Sequence, residues 1–111
     1  MTRRDDSVSI QQMLVHAEEA INLVAGLSQP ELEQDRVLSL AVLRLLEIVG
    51  EAAARISPEV RESHTRIPWS QIVALRNRLI HGYDAVDMSV IWQVLISDLP
   101  ELVGDLRELN S

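Results

Sequence analysis

The stretch RNRLIHGY, residues 76–83, gathers two arginines, an asparagine, a histidine and a tyrosine in an otherwise acidic, aliphatic chain. Each of these types can do chemistry. His81 can donate or accept a proton near neutral pH. Arg76 can hold a phosphate as charge builds in a transition state, or it can answer a buried carboxylate. Asn77 and Arg78 lie one turn from His81 on an ideal helix, and Tyr83 offers a phenol. Each also has a plainer use. A histidine closing a helix is favoured by the helix dipole, and a tyrosine can pack as an edge aromatic. The carboxylates available to Arg76 are Glu47 and Glu51, four residues apart, which repel unless cations neutralise them. The more economical reading of that pair is structural, with Arg44 and Arg55 holding it.

Helical geometry constrains how these side chains can meet. Ile67-Pro68-Trp69 opens a helix that carries the cluster, and Gly82 is placed to end it in a left-handed cap. At about 100° per residue, Ile72, Leu75 and Leu79 define a core face. Arg76 then lies about 40° from Ile72, at the edge of that face, and about 140° from His81. Arg76 and His81 converge only through the length of the arginine, a loosened helix end at Gly82, or a second copy of the chain.

The remaining elements are helical too. Ile10, Leu14, Ala17, Ile21 and Val24 recur with helical spacing after Ser7, a candidate N-cap, and Gly26 lies near the end. Ser28-Gln29-Pro30-Glu31 reads as a capping box that opens a long helix to about Ile56. That helix bears Arg44, Glu47, Glu51 and Arg55 as one polar stripe. Ser57-Pro58-Glu59 stops it and starts a short turn. Asp87 can cap a last helix with Ile91, Leu95, Leu99, Leu102, Leu106 and Leu109, in which Pro100 predicts a kink or break near Asp98. The expectation is an all-α, up-and-down bundle of four main helices plus one short helix, with residues 1–111 forming one domain.

Composition narrows the function. Hydrophobic residues make up 47%, aromatics only 3%, and there is no Phe, so the core is aliphatic. The chain has no cysteine, which excludes disulfides and thiolate metal sites and fits a reducing, cytoplasmic setting. No signal-peptide stretch and no membrane-length apolar run is present. The net charge of −7 argues against a nonspecific nucleic-acid binder, so contact with RNA would rest on a local cluster, and DNA is not an expected partner. His16, His64 and His81 are far apart in sequence and no HExxH-like spacing exists, so no metal site is expected and no cofactor. Glycine-rich nucleotide loops are absent as well. His16 and His64 read as solvated bystanders.

Arg76, His81 and Tyr83 fit Arg-x4-His-x-Tyr, and the chain resembles HEPN-domain proteins of the HepT-like ribonuclease toxin group. The likeness extends to LEIVGEAA (46–53), IPWSQIVALRNRLIHGY (67–83) and DLPEL (98–102), and covers roughly residues 7–109. The resemblance implies a helical homodimer with the motif helices lining a shared cleft. It further implies a metal-independent endoribonuclease toxin and a minimal nucleotidyltransferase antitoxin that transfers AMP to the motif tyrosine. On that likeness Arg76 and His81 are catalytic, Asn77 and Arg78 bind substrate phosphate, Tyr83 is the modification site, and Glu47 and Glu51 are supporting carboxylates. A reading from another class is a non-catalytic helical subunit of a nucleotidyltransferase, binding nucleotide or substrate through the same cations. A third is a dimerising helical module whose Arg76 forms a structural ion-pair network with Glu47 or Glu51.

Overall fold

The computed structural model describes residues 4–82 and 85–110. Among them the order is α1 (Arg4–Val24), α2 (Gln29–Gln34), α3 (Arg36–Ala54), α4 (Pro58–Ser63), α5 (Trp69–Ile80), α6 (Met88–Gln93), a π turn (Val94–Asp98) and α7 (Leu99–Leu109). The all-α bundle expected from the periodicity is the one observed: α1, α3, α5 and the composite α6–α7 are its main members.

α1 begins at Arg4, so Ser7 lies inside the helix rather than capping it. Asp6, in the first turn, is buried and takes the place of a surface carboxylate. It accepts hydrogen bonds from the Ser57 backbone N–H at 2.9 Å and from the Ser57 hydroxyl at 2.8 Å. Ser57 in turn caps α4, so one carboxylate fastens the start of α1 to the corner between α3 and α4. Arg61 closes the same corner by donating to the carbonyls of Ala53, in the last turn of α3, and of Ile56, just past it.

The capping box forms as expected, with Ser28 and Glu31 each satisfying the other's backbone N–H. The helix it opens is short. Asp35 leaves helical geometry and accepts from the Leu38 N–H, starting α3 afresh. The single long helix to Ile56 is therefore two helices, because an aspartate can compete for backbone donors and favours a cap over a helix interior. The bundle consequently has a second short member beside α4.

α6 is capped by Asp87, as its position predicts. Ahead of Pro100 the chain does not break; it widens into a π turn, in which the Leu99 N–H donates to the Val94 carbonyl. Proline has no N–H and its ring crowds the preceding turn, and the extra residue in the π turn absorbs that mismatch while the helix continues.

The core is built where α1, α3 and α6–α7 meet: Ile10, Met13, Val42, Ile91, Leu95 and Leu106 are essentially inaccessible. Burial of a leucine or isoleucine contributes roughly 2–3 kcal/mol each, so this seam carries the fold. α5 lies outside it. It packs chiefly on α3, and only Trp69 and Leu79 of its residues are buried. Trp69 anchors its start by donating its indole N–H to the His64 carbonyl at 3.0 Å.

Candidate active site

Arg76 sits over α3, and glycine makes that possible. A Cβ at Gly50 would lie 2.9 Å from Arg76 Cγ and 3.2 Å from the Ile72 carbonyl, and closer still to Arg76 Cβ. The two helices thus cross at Gly50, with the arginine stem pressed onto the α3 backbone. This corrects the expectation that Arg76 lies at the edge of a face centred on Ile72, Leu75 and Leu79. Leu79 is buried, whereas Ile72 and Leu75 are only half-buried. The arc facing α3 runs from Leu79 through Ile72 and Arg76 to Trp69, and Arg76 is well within it.

Among the described residues the guanidinium emerges from this crossing without an acidic partner. Its Nη1 donates to Asn77 Oδ1 at 2.8 Å, and its Nε is buried with no hydrogen-bond partner among the described residues. Glu47 and Glu51 are engaged by Arg44, which bonds to Glu47 and lies 3.4 Å from Glu51. Partial burial opposes the charge of Arg44, but the two carboxylates more than offset it and raise its pKa above the ordinary arginine value. Arg55, expected to share in this pairing, makes no ion pair among the described residues; Arg44 serves both glutamates. The expected alternative of an Arg76 network with Glu47 or Glu51 is not what forms. The side-chain acceptor beside Arg76 is the neutral amide of Asn77.

The other cluster residues divide between two directions. Arg78, about 200° around the helix from Arg76, lines a groove of about 500 Å³ between α5 and α6–α7. Leu46, Val49, Ile72, Leu75 and Val94 also line that groove, with Arg66 on the α5 side and Asp98, Glu101 and Asp105 on the α7 side. Asn77 is exposed and spends its side-chain carbonyl on Arg76. His81 is the residue that closes α5; its N–H donates to the Arg78 carbonyl while its ring is exposed. Gly82 follows with φ +148°, a backbone state that other residues rarely adopt. Tyr83 lies outside the described residues. His16 and His64 stand apart from the cluster: His16 bonds to the Gln12 carbonyl one turn back, and His64 is the exposed C-cap of α4.

Sequence reasoning missed Gly50. A glycine in the interior of an apolar helix was its signal, because such a residue weakens the helix unless another backbone must come close.

Chemically, the end of α5 offers a fixed, uncompensated guanidinium and an exposed imidazole on consecutive turns of one helix. Those groups suit an anionic oxygen and a proton transfer, respectively. Fold and site together define a helical bundle that carries a half-buried arginine and an exposed histidine near the end of one helix, α5. The chain belongs to the HepT-like ribonuclease family, described as "Ribonuclease HepT-like", whose model matches residues 13–109. Among curated relatives, "Putative RNase TTE0752" of Caldanaerobacter subterraneus subsp. tengcongensis is 36% identical, over 90% of this chain and 89% of its own. "Putative RNase MJ1380" of Methanocaldococcus jannaschii is 32% identical, over 96% of this chain and 98% of its own. "Probable ribonuclease HepT" of Thermococcus cleftensis is 39% identical, over 68% of this chain and 69% of its own. No solved structure matches the chain significantly.

Proposed function

We propose that this protein is a metal-independent endoribonuclease toxin acting through Arg76 and His81, and that it works as a homodimer in the cytoplasm. The observation that carries the reading is the state of Arg76. Its charge is left uncompensated although two carboxylates lie on the helix it packs against, and those carboxylates have their own arginine. A purely structural arginine in that place would neutralise them itself.

The reaction uses the RNA's own 2′-hydroxyl. Its oxygen attacks the adjacent phosphorus, its proton passes to a base, and the bond to the 5′-oxygen breaks. The products are a 2′,3′-cyclic phosphate and a 5′-hydroxyl, which takes up a proton from an acid. His81 performs one of these transfers, a role worth roughly 10²–10⁴-fold. Arg76 stabilises the dianionic phosphorane, held toward it by Asn77. Arg78 contributes to the phosphate site from the groove side. One imidazole cannot act as acid and base in a single step, and a second copy supplies the other.

α5 also supports the dimer. Its own chain covers it on little more than the α3 side, leaving Ile72, Val73 and Leu75 half-exposed and Ile80 exposed. The groove beside it carries arginines on one lip and carboxylates on the other, as a surface that meets its own copy requires. Residues 1–111 form a single domain in this reading, and Glu47 and Glu51 with Arg44 keep that side of α3 from competing for Arg76.

The regulatory partner is a minimal nucleotidyltransferase antitoxin that transfers AMP to Tyr83. The added phosphate would place negative charge and bulk two residues from His81, opposing RNA binding.

Purified protein is expected to cleave RNA in EDTA, and His81→Ala to lower the rate by at least about 10²-fold. Cleavage at the wild-type rate by the variant would remove His81 from the mechanism. The acidity of the chain, with a net charge of −7, favours one other reading: a non-catalytic subunit that binds nucleotide or substrate for a nucleotidyltransferase. Expression without the partner separates the two. Growth arrest relieved by Arg76→Ala supports the toxin, and harmless expression with no RNA cleavage supports the subunit.

A further inference from the structure

We propose that Gly50 is a positioning residue for Arg76: the missing side chain seats the arginine stem on α3 and so fixes where the guanidinium emerges. The inference rests on the ribonuclease reading of Arg76 and adds a residue to it.

Glycine is a poor choice for the interior of α3, since it raises the entropy lost on forming the helix. At Gly50 a methyl group would lie 2.9 Å from Arg76 Cγ and 3.2 Å from the Ile72 carbonyl, both too close. The second of these is backbone, and Arg76 Cβ, nearer still, moves with the backbone. Neither can turn aside as the end of a flexible side chain would. α5 would have to lift from α3 as a body. Gly104 in α7 provides the contrast, because a Cβ there meets nothing within 4 Å.

The consequence falls on the guanidinium because of where burial stops. Arg76 Nε is enclosed at the crossing, while Nη1 reaches Asn77 Oδ1 at 2.8 Å. The arginine leaves the interface midway along its guanidinium, so the position and direction of its outer nitrogens are set by the depth of the seat. Lifting α5 frees Nε to water and lets the outer nitrogens swing away from the phosphate. Glycine at position 50 thus converts a helix crossing into a rigid mount for a cation.

The test is a double-mutant cycle on Gly50→Ala and Arg76→Gly, with Gly104→Ala as control. Thermal midpoints are measured, and RNA cleavage is followed where circular dichroism shows every variant folded. Gly50→Ala is expected to lower the midpoint and to slow cleavage about tenfold or more. In the Arg76→Gly background the same change should lower the midpoint much less, because the stem is gone and only the tight Ile72 carbonyl contact remains. It should also remove nothing further from the residual cleavage, a non-additivity that general destabilisation does not produce. Gly104→Ala should leave cleavage unchanged. Equal losses of midpoint in both backgrounds, or equal fold-losses of cleavage in both, would overturn the seating role while leaving Arg76 in the mechanism. Full activity of Arg76→Gly alone would instead overturn the assignment of Arg76, and the functional half of this proposal with it.

Discussion

At the scale of single residues, Asn77 is where the sequence and the structure differ most usefully. Its side-chain carbonyl is committed to Arg76 Nη1, so its first role in the proposed reaction is to aim the guanidinium, with the phosphate reached through it. Exchange of the amide for a carboxylate separates these contributions. Asn77→Asp keeps an acceptor in the same place and turns a neutral hydrogen bond into an ion pair, which at an exposed site contributes roughly 0–1 kcal/mol. Stability should therefore hold or rise slightly. The carboxylate now competes with RNA phosphate for Arg76, so cleavage should fall by about tenfold or more, mainly through a higher KM. Urea unfolding together with steady-state cleavage decides it; an unchanged KM would show that Asn77 does not bear on phosphate binding. Arg76 itself was legible as a functional candidate from its type and its neighbours. Its half-burial was legible too, but its seat on α3 was not, because the face of a helix is defined by what packs on it, and the residue that packs here is a glycine with no hydropathy to reveal it.

At the scale of elements, caps and periodicity carried most of the reading. Ser28-Gln29-Pro30-Glu31, Ser57-Pro58 and Asp87 each start the helix that their types imply, since a short polar side chain before a helix satisfies a free N–H. What escaped were competitions between local signals. Asp35 could extend a helix or restart one, and Pro100 could break a helix or be absorbed; each choice depends on neighbours distant in sequence. Glu31 gives a pH-dependent check on the capping box. The Ser28 backbone N–H and hydroxyl hold its carboxyl below the ordinary glutamate pKa of 4.5. A carboxyl with a depressed folded pKa contributes stability that is present above its unfolded pKa and is lost as pH falls through the folded value. Glu31→Gln should thus unfold at lower urea than wild type near neutral pH, and the gap should close below the ordinary glutamate range. A gap that persists in acid would place the effect elsewhere. Asp6 is the larger lever. It is buried and binds Ser57 through both carboxylate oxygens, so Asp6→Ala should cost about 2–3 kcal/mol, read as a lower urea midpoint. A change within about 0.5 kcal/mol, the range usual at surface sites, would mean that water replaces the carboxylate at the α3–α4 corner.

At the scale of the whole molecule, the uneven covering of the helices is the observation that bears on the proposed dimer. α1, α3 and α6–α7 share a dry seam, while α5 leans on α3 and leaves a groove of about 500 Å³ toward α7. Sequence alone shows that four main helices must pack, but it cannot show that one gap in the ring stays open. That depends on the tilt set at the Gly50 crossing. An open groove with an apolar floor is costly to maintain, and its two lips differ in sign: Arg66 and Arg78 on one side, Asp98, Glu101 and Asp105 on the other. Among the described residues the Arg66–Asp105 pair alone approaches across it, at 3.6 Å. Two copies related by a twofold axis would set each arginine lip against the other's carboxylates and cover Val90, which is 45% exposed. Val90→Arg tests this without touching the core, since that side chain can reach water in a monomer but not in the closed pair. The wild type should sediment as a dimer at micromolar concentration, and Val90→Arg should sediment as a folded monomer with RNA cleavage reduced about 10²-fold or more through loss of the second His81. A wild type that is monomeric yet fully active would end the case for a shared site. A Val90→Arg variant that stays dimeric would move the interface off this groove, most directly to the exposed Ile80 side of α5.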